Sequence, residues 1–155
     1  MRIDDLTRRW RDLGAKPSHI ERLLRAWTRG LPLTHASVRV GDLPQAVRAA
    51  LPELAAELAR IVRVRTRHPS ADGSERLLLD LADGEAVETV LLPRDGVCVS
   101  SQVGCAVGCT FCRTGRDGLT RHLHSAEMVA QVVQARTMRV VRKVVFMGMG
   151  EPAHN

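Results

Sequence analysis

Aromatic residues are nearly missing from this 155-residue chain, which has two Trp, two Phe and no Tyr. That argues against a surface that grips nucleobases mainly by stacking them on aromatic rings. Lysine is scarce as well, since 21 of the 23 basic residues are arginine. Long apolar runs are also lacking. The opening Met1-Arg-Ile-Asp-Asp-Leu6 has no apolar signal core. No stretch approaches the roughly 20 apolar residues of a membrane-spanning helix. These absences predict a cytoplasmic chain with no membrane partner. In such a compartment its four cysteines are not expected to be structural disulfides.

What is present is basic. The net charge is +6, and it is unevenly spread: residues 104–155 hold seven basic and three acidic residues, against sixteen and fourteen in residues 1–103. A polyanion such as RNA would be drawn to the later half. An arginine-rich composition with solvated helix faces explains the same numbers equally well.

The early residues read as short helices. Ile3, Leu6, Trp10 and Leu13 recur at helical spacing. A capping box, Ser18-x-x-Glu21, precedes Ile20, Leu23, Leu24 and Trp27, with Gly30 just past the end. Two further helices are expected over about 43–50 and, opened by Pro52, 53–60. The apolar period then changes to two. Strands are predicted over 61–67, 77–81 and 87–92, the last two joined at Asp83-Gly84. From Val97 the pattern is β-loop-α-β: a strand over 97–103, a glycine-rich loop over 104–118, a helix capped by Ser125 that buries Val129, Val132 and Val133, and a buried parallel strand over 144–147. The expected organisation is thus α/β, with a helical, RNA-binding-like domain over 1–60, an antiparallel strand segment over 61–96 and an α/β unit over 97–155.

Cys105, Cys109 and Cys112 form a C-x3-C-x2-C run inside the glycine-rich loop. Three thiolates hold three corners of a [4Fe-4S] cluster and leave one iron open to a small-molecule ligand. Zinc sites usually add a second short pair some distance away, and here every short cysteine spacing lies in one loop. The pattern therefore points to a cluster before zinc, with unreactive buried cysteines as the plainest alternative. Gly148-Met-Gly150-Glu151-Pro152 follows the second parallel strand, at the strand end where α/β sheets bind ligands. Taken alone, those residues could form a simple turn; their place after a buried strand and downstream of the cysteine loop favours ligand binding.

Together these segments make the chain recognisable. Val87-Glu-Thr-Val90, Cys98-Val-Ser-Ser-Gln-Val-Gly-Cys105, Phe111-Cys112, Thr114-Gly115 and Met147-Gly-Met-Gly-Glu-Pro152 resemble the radical S-adenosylmethionine (SAM) RNA methyltransferases that methylate carbon 2 of adenosine in ribosomal and transfer RNA. Arg113 departs from the small residue the family usually has there, and Leu119-Thr-Arg-His-Leu123 is a looser match.

Several expectations follow from the resemblance. The three cysteines would hold the cluster, and Gly150 and Glu151 would bind SAM, with Glu151 receiving its ammonium group. Reductive cleavage of SAM would start a methyl transfer relayed through a methylated cysteine. Glu88 would accept the proton from the RNA adduct, and Cys98 would resolve that adduct by disulfide exchange. The substrate would be rRNA, tRNA or both, with an electron donor such as flavodoxin and a monomeric enzyme. The implied fold is a partial barrel of β/α units. Since an eight-unit barrel needs about 250 residues, these residues would supply only its first units, and turnover by them alone is not expected. A related enzyme with another RNA target, or a non-catalytic RNA-binding fragment, are the competing expectations.

Overall fold

The computed structural model describes residues 1–155 and contains four α-helices and seven strands. Helix α1 (Ile3–Asp12) buries Leu6 and Trp10, and α2 (Pro17–Thr28) buries Ile20, Leu23 and Trp27, as their spacing predicts. The start of α2 differs from expectation. Pro17, whose ring presets a helical φ, begins the helix, and Nδ1 of His19 accepts from the Lys16 N–H, so Ser18 lies inside the first turn rather than capping it.

The two helices expected on either side of Pro52 are one helix, α3 (Gln45–Arg60), with Pro52 in its interior. Proline there removes one helical hydrogen bond. The buried row Val47, Leu51, Leu54 and Leu58 runs straight through it and holds the two turns in line.

Strands β1 (Val62–Pro69), β2 (Glu75–Leu81) and β3 (Ala86–Leu92) form an antiparallel meander, and Gly84 takes the positive φ that the β2–β3 turn needs. The meander continues through β4 (Gly96–Cys98) into β7 (Lys143–Val145), giving one five-stranded sheet in the order β1-β2-β3-β4-β7. Its β4–β7 pair is parallel. The strand expected over 97–103 is broken. Residues 96–98 join the large sheet, whereas β5 (Gln102–Gly104) pairs with β6 (Leu119–His122) in a two-stranded ribbon. The backbone of residues 99–101 cannot serve both ladders and bonds instead to Gln131 and to residues 145–149.

Helix α4 (Ser125–Met138) also differs in detail. Its cap is His124, whose N–H donates to Glu127 at 2.7 Å, while the Ser125 hydroxyl accepts from the Ile3 N–H at 3.0 Å. The residues fully buried are Ala126, Glu127, Ala130, Gln131 and Ala135, with Val129, Val132 and Val133 partly buried beside them. Small side chains let the helix sit close to the sheet. Strand β7 is shorter than expected and is not buried: Val144, Phe146 and Met147 are exposed, because β7 is an edge with β4 as its one neighbour. A single apolar core of 29 residues extends from Leu6 to Val141, across the junction expected near residue 96. No helix is long and apolar enough to cross a membrane.

Candidate functional site

Sheet geometry decides where Glu88 points. Val87 and Thr89 are fully buried, so the alternate residue Glu88 faces away from the core, where Arg76 forms an ion pair with it. Cys98 lies opposite Val90, two residues along from Glu88, so Glu88 and Cys98 share this face of the sheet. Beside it opens a cleft of about 380 Å³ lined by Glu88, Val103, Arg113, Thr114, Thr120 and Met149, among others. The fold therefore brings Glu88, the base of the cysteine loop and the Gly148–Glu151 segment to one place. None of Cys98, Cys105, Cys109 and Cys112 lines that cleft, and neither do Gly150 and Glu151; of the expected site residues only Glu88 does. An apolar cleft of about 290 Å³ around Trp27, Leu33 and Val133 carries no titratable side chain.

The cysteine loop hangs from the neck of the β5–β6 ribbon. Gly104 adopts a positive φ there, and a side chain at this position would strike the carbonyl of Gly118. That carbonyl accepts from the Cys105 N–H at 2.9 Å and closes the neck. Beyond it Cys109 is exposed, Cys105 and Cys112 are half-buried, and the Phe111 side chain is 91% exposed. All four cysteines are free thiols, and no disulfide joins any of them. The three loop thiols do not converge in this conformation: no group of three His, Cys, Asp or Glu side chains is close enough to hold a metal ion. Their chemistry nevertheless suits a cluster. They are soft donors on one short loop, and the Thr114 N–H, the Thr114 hydroxyl and the Gly115 N–H hold the Cys112 thiol below its ordinary pKa. Cys98 behaves in the opposite way, because burial pushes its thiol up, against a smaller pull from the Met147 N–H.

The Gly148–Glu151 segment is tied down by the buried turn that splits β4 from β5. The Met149 N–H donates to the Ser100 hydroxyl at 2.8 Å, and the Met149 carbonyl accepts from the N–H groups of Ser101 and Gln102 at 2.9 and 3.3 Å. Ser100 in turn donates its hydroxyl to the Glu88 carbonyl at 2.5 Å, linking β3 to this segment. The two glycines are needed for that contact. A Cβ on Gly148 would lie 2.7 Å from the Ser100 hydroxyl, and one on Gly150 would lie 2.5 Å from the Gln102 Cβ. The Glu151 carboxylate accepts from the Ala153 N–H through Oε1 at 3.0 Å.

Behind the turn, Oε1 of Gln131 accepts from the Thr89 hydroxyl at 2.7 Å and from the Ser100 N–H at 2.8 Å, and its Nε2 donates to the Ser100 carbonyl at 2.9 Å. Ser100, Gln102, Gln131 and Arg76 do not stand out in the sequence as site residues. The available signal is Ser-Ser-Gln in the middle of an otherwise apolar stretch, where three consecutive polar residues argue against an uninterrupted buried strand.

The fold is similar to that of a solved structure described as a radical SAM methyltransferase from Sphaerobacter thermophilus, with a TM-score of 0.71 and 35% identity; the match covers 100% of this chain and 47% of that one. Among curated proteins, the chain is 63% identical over 156 residues to a probable RNA methyltransferase of Azoarcus sp. (strain BH72), 62% to one of Leptothrix cholodnii and 64% to one of Aromatoleum aromaticum. Each match covers 100% of this chain but only 44–45% of the relative, so the chain spans a little under half the length of the curated relatives it matches. No protein-family model matches the sequence.

Proposed function

We propose that this chain forms the cofactor-binding portion of a radical SAM methyltransferase acting on RNA, and that it directs methylation to carbon 2 of adenosine in rRNA, tRNA or both. The observation that carries the proposal is one cleft lined by Glu88, by Gly104, Arg113 and Thr114 of the loop that bears the three cysteines, and by Met149 of the Gly148–Glu151 segment. The similarity to proteins described as RNA methyltransferases and as a radical SAM methyltransferase supports it.

On this reading Cys105, Cys109 and Cys112 hold a [4Fe-4S] cluster, and Gly150 and Glu151 bind SAM. Held by those cysteines, a cluster would supply one-electron reducing chemistry toward SAM, which is needed because carbon 2 of adenine has no lone pair with which to attack a methyl group. The Glu151 Oε2, which makes no hydrogen bond of its own, accepts from the SAM ammonium. Glu88 accepts the proton released from the base, and Cys98, on the same sheet face, resolves the RNA adduct. Burial keeps the Cys98 thiol protonated at rest, so this step needs a base to activate it. The relay also needs a fifth thiol to carry the methyl group, since cluster binding and adduct resolution occupy these four. Residues 1–60 serve as an RNA-binding element, and β4-α4-β7 is the opening unit of the partial barrel. An electron donor such as flavodoxin and a monomeric cytoplasmic enzyme complete the reading.

Arg113, in the cleft wall with Glu88, favours a second possibility, a related enzyme with a different RNA target. The deciding experiment reconstitutes with iron and sulfide a protein of its relatives' full length that includes this chain and the fifth thiol, adds reductant, methyl-labelled SAM and rRNA or tRNA, and analyses the digested nucleosides by mass spectrometry. Label in 2-methyladenosine is the expected result. Label in another nucleoside supports the second reading, and an absence of labelled RNA overturns both.

A further inference from the structure

Gln102 is fully buried on β5, and every hydrogen-bonding atom of its side chain is assigned by its neighbours. Its Oε1 accepts from the Glu151 N–H at 2.8 Å. A backbone N–H can only donate, so the amide orientation is fixed: Nε2 must face His122. Nε2 lies 3.0 Å from Nδ1 of His122 and can itself only donate, so Nδ1 accepts and the imidazole proton sits on Nε2. Gly150, at φ +96°, lies flat on the same side chain, where the Gln102 Cβ and Cγ occupy the space a Gly150 side chain would need. The Gln102 N–H also reaches the Met149 carbonyl at 3.3 Å. An apolar residue would fill this space as well. Glutamine adds a polar link between the ribbon that carries the cysteine loop and the backbone of Glu151.

We propose that Gln102 is a positioning residue for Glu151. Its carboxamide, braced by His122, fixes the peptide from which the Glu151 carboxylate projects, and so sets the geometry with which that carboxylate meets the SAM ammonium. This rests on Glu151 binding SAM, as proposed above. A misplacement of about 1 Å at such a contact is enough to be costly.

The test uses the iron–sulfide-reconstituted protein and its Q102M, H122F and E151A variants. It measures SAM affinity by equilibrium dialysis, iron content, and hydrogen exchange across residues 148–151 without SAM. Methionine keeps the approximate volume of glutamine and removes both hydrogen bonds. The expected result for Q102M is SAM binding weakened about tenfold, with unchanged iron content and faster exchange confined to residues 148–151. H122F should shift both readouts in the same direction by less. Wild-type SAM affinity in Q102M overturns the proposal, and so does faster exchange with unchanged affinity, which marks a purely structural brace. If Q102M loses iron or exchanges throughout, H122F decides, and wild-type affinity in that variant overturns the proposal. If wild-type protein fails to bind SAM, or E151A binds it normally, the assignment of Glu151 fails instead.

Discussion

The cysteine loop and the Gly148–Glu151 segment border the same cleft but are held very differently. The segment is fastened to a buried turn by hydrogen bonds from Met149 and Glu151, and its glycines fit against Ser100 and Gln102. The loop is closed at its neck, yet beyond it Cys109 and Phe111 lie open to solvent and the three thiols do not converge. One side of the candidate site is therefore organised before any ligand arrives. On the proposed reading, the other side would rely on its cluster to bring the three thiols together.

The largest expected effect lies on the loop. C109A should abolish the iron–sulfur absorbance and lower the iron and sulfide content to background. It should leave the stability of the metal-free protein within about 0.5 kcal/mol of wild type, because an exposed thiol contributes little packing. A fully assembled cluster in C109A would show that Cys109 is not a ligand.

The next effect lies behind the turn. Q131L strands the Thr89 hydroxyl and both backbone groups of Ser100 in a fully buried site. A loss of about 3 kcal/mol in denaturant unfolding is expected. A loss below about 1 kcal/mol would mean that the turn is not organised by this network.

Glu127 sharpens the contrast through pH. Burial acts to raise its pKa, but hydrogen bonds from Arg121 and the His124 N–H, together with the Arg121 charge, hold it below the ordinary value. A depressed folded-state pKa contributes stability that is complete above the unfolded glutamate value of about 4.3 and is lost as pH falls through the lower folded value. Unfolding free energy in wild type should therefore decline on that acid limb. E127Q should show a shallower decline and a loss of about 2 kcal/mol at neutral pH. Parallel acid limbs in the two proteins would contradict this assignment.

The smallest effect is kinetic. In metal-free protein at neutral pH, iodoacetamide should modify Cys112 well before Cys98. The Thr114 and Gly115 donors favour the Cys112 thiolate, while burial disfavours that of Cys98. Mass mapping of alkylated peptides checks the order, and equal rates would remove the distinction.

Much of the scaffold was legible in the sequence because it rests on local periodicity. The stripes of α1 and α2, the Asp83-Gly84 turn, the β1–β3 meander and the β4-α4-β7 unit all follow from apolar spacing and turn chemistry. Pro52 misled because tertiary packing of Leu51, Leu54 and Leu58 overrides its local penalty. The break at 99–101 was hidden because strand propensity says nothing about which ladder a residue joins. The candidate donors were legible from their spacing. Gln102 and Gln131 were not, because their side-chain partners are distant in sequence: 20 and 49 residues away for Gln102, 31 and 42 for Gln131.

Whether the three loop cysteines hold a cluster that binds SAM is decided by electron paramagnetic resonance of the anaerobically reconstituted, reduced protein, recorded with and without SAM. A [4Fe-4S] signal that changes shape when SAM is added, and is missing from C109A, is expected. A protein that assembles no cluster, or a cluster signal that SAM leaves unaltered, would contradict this assignment.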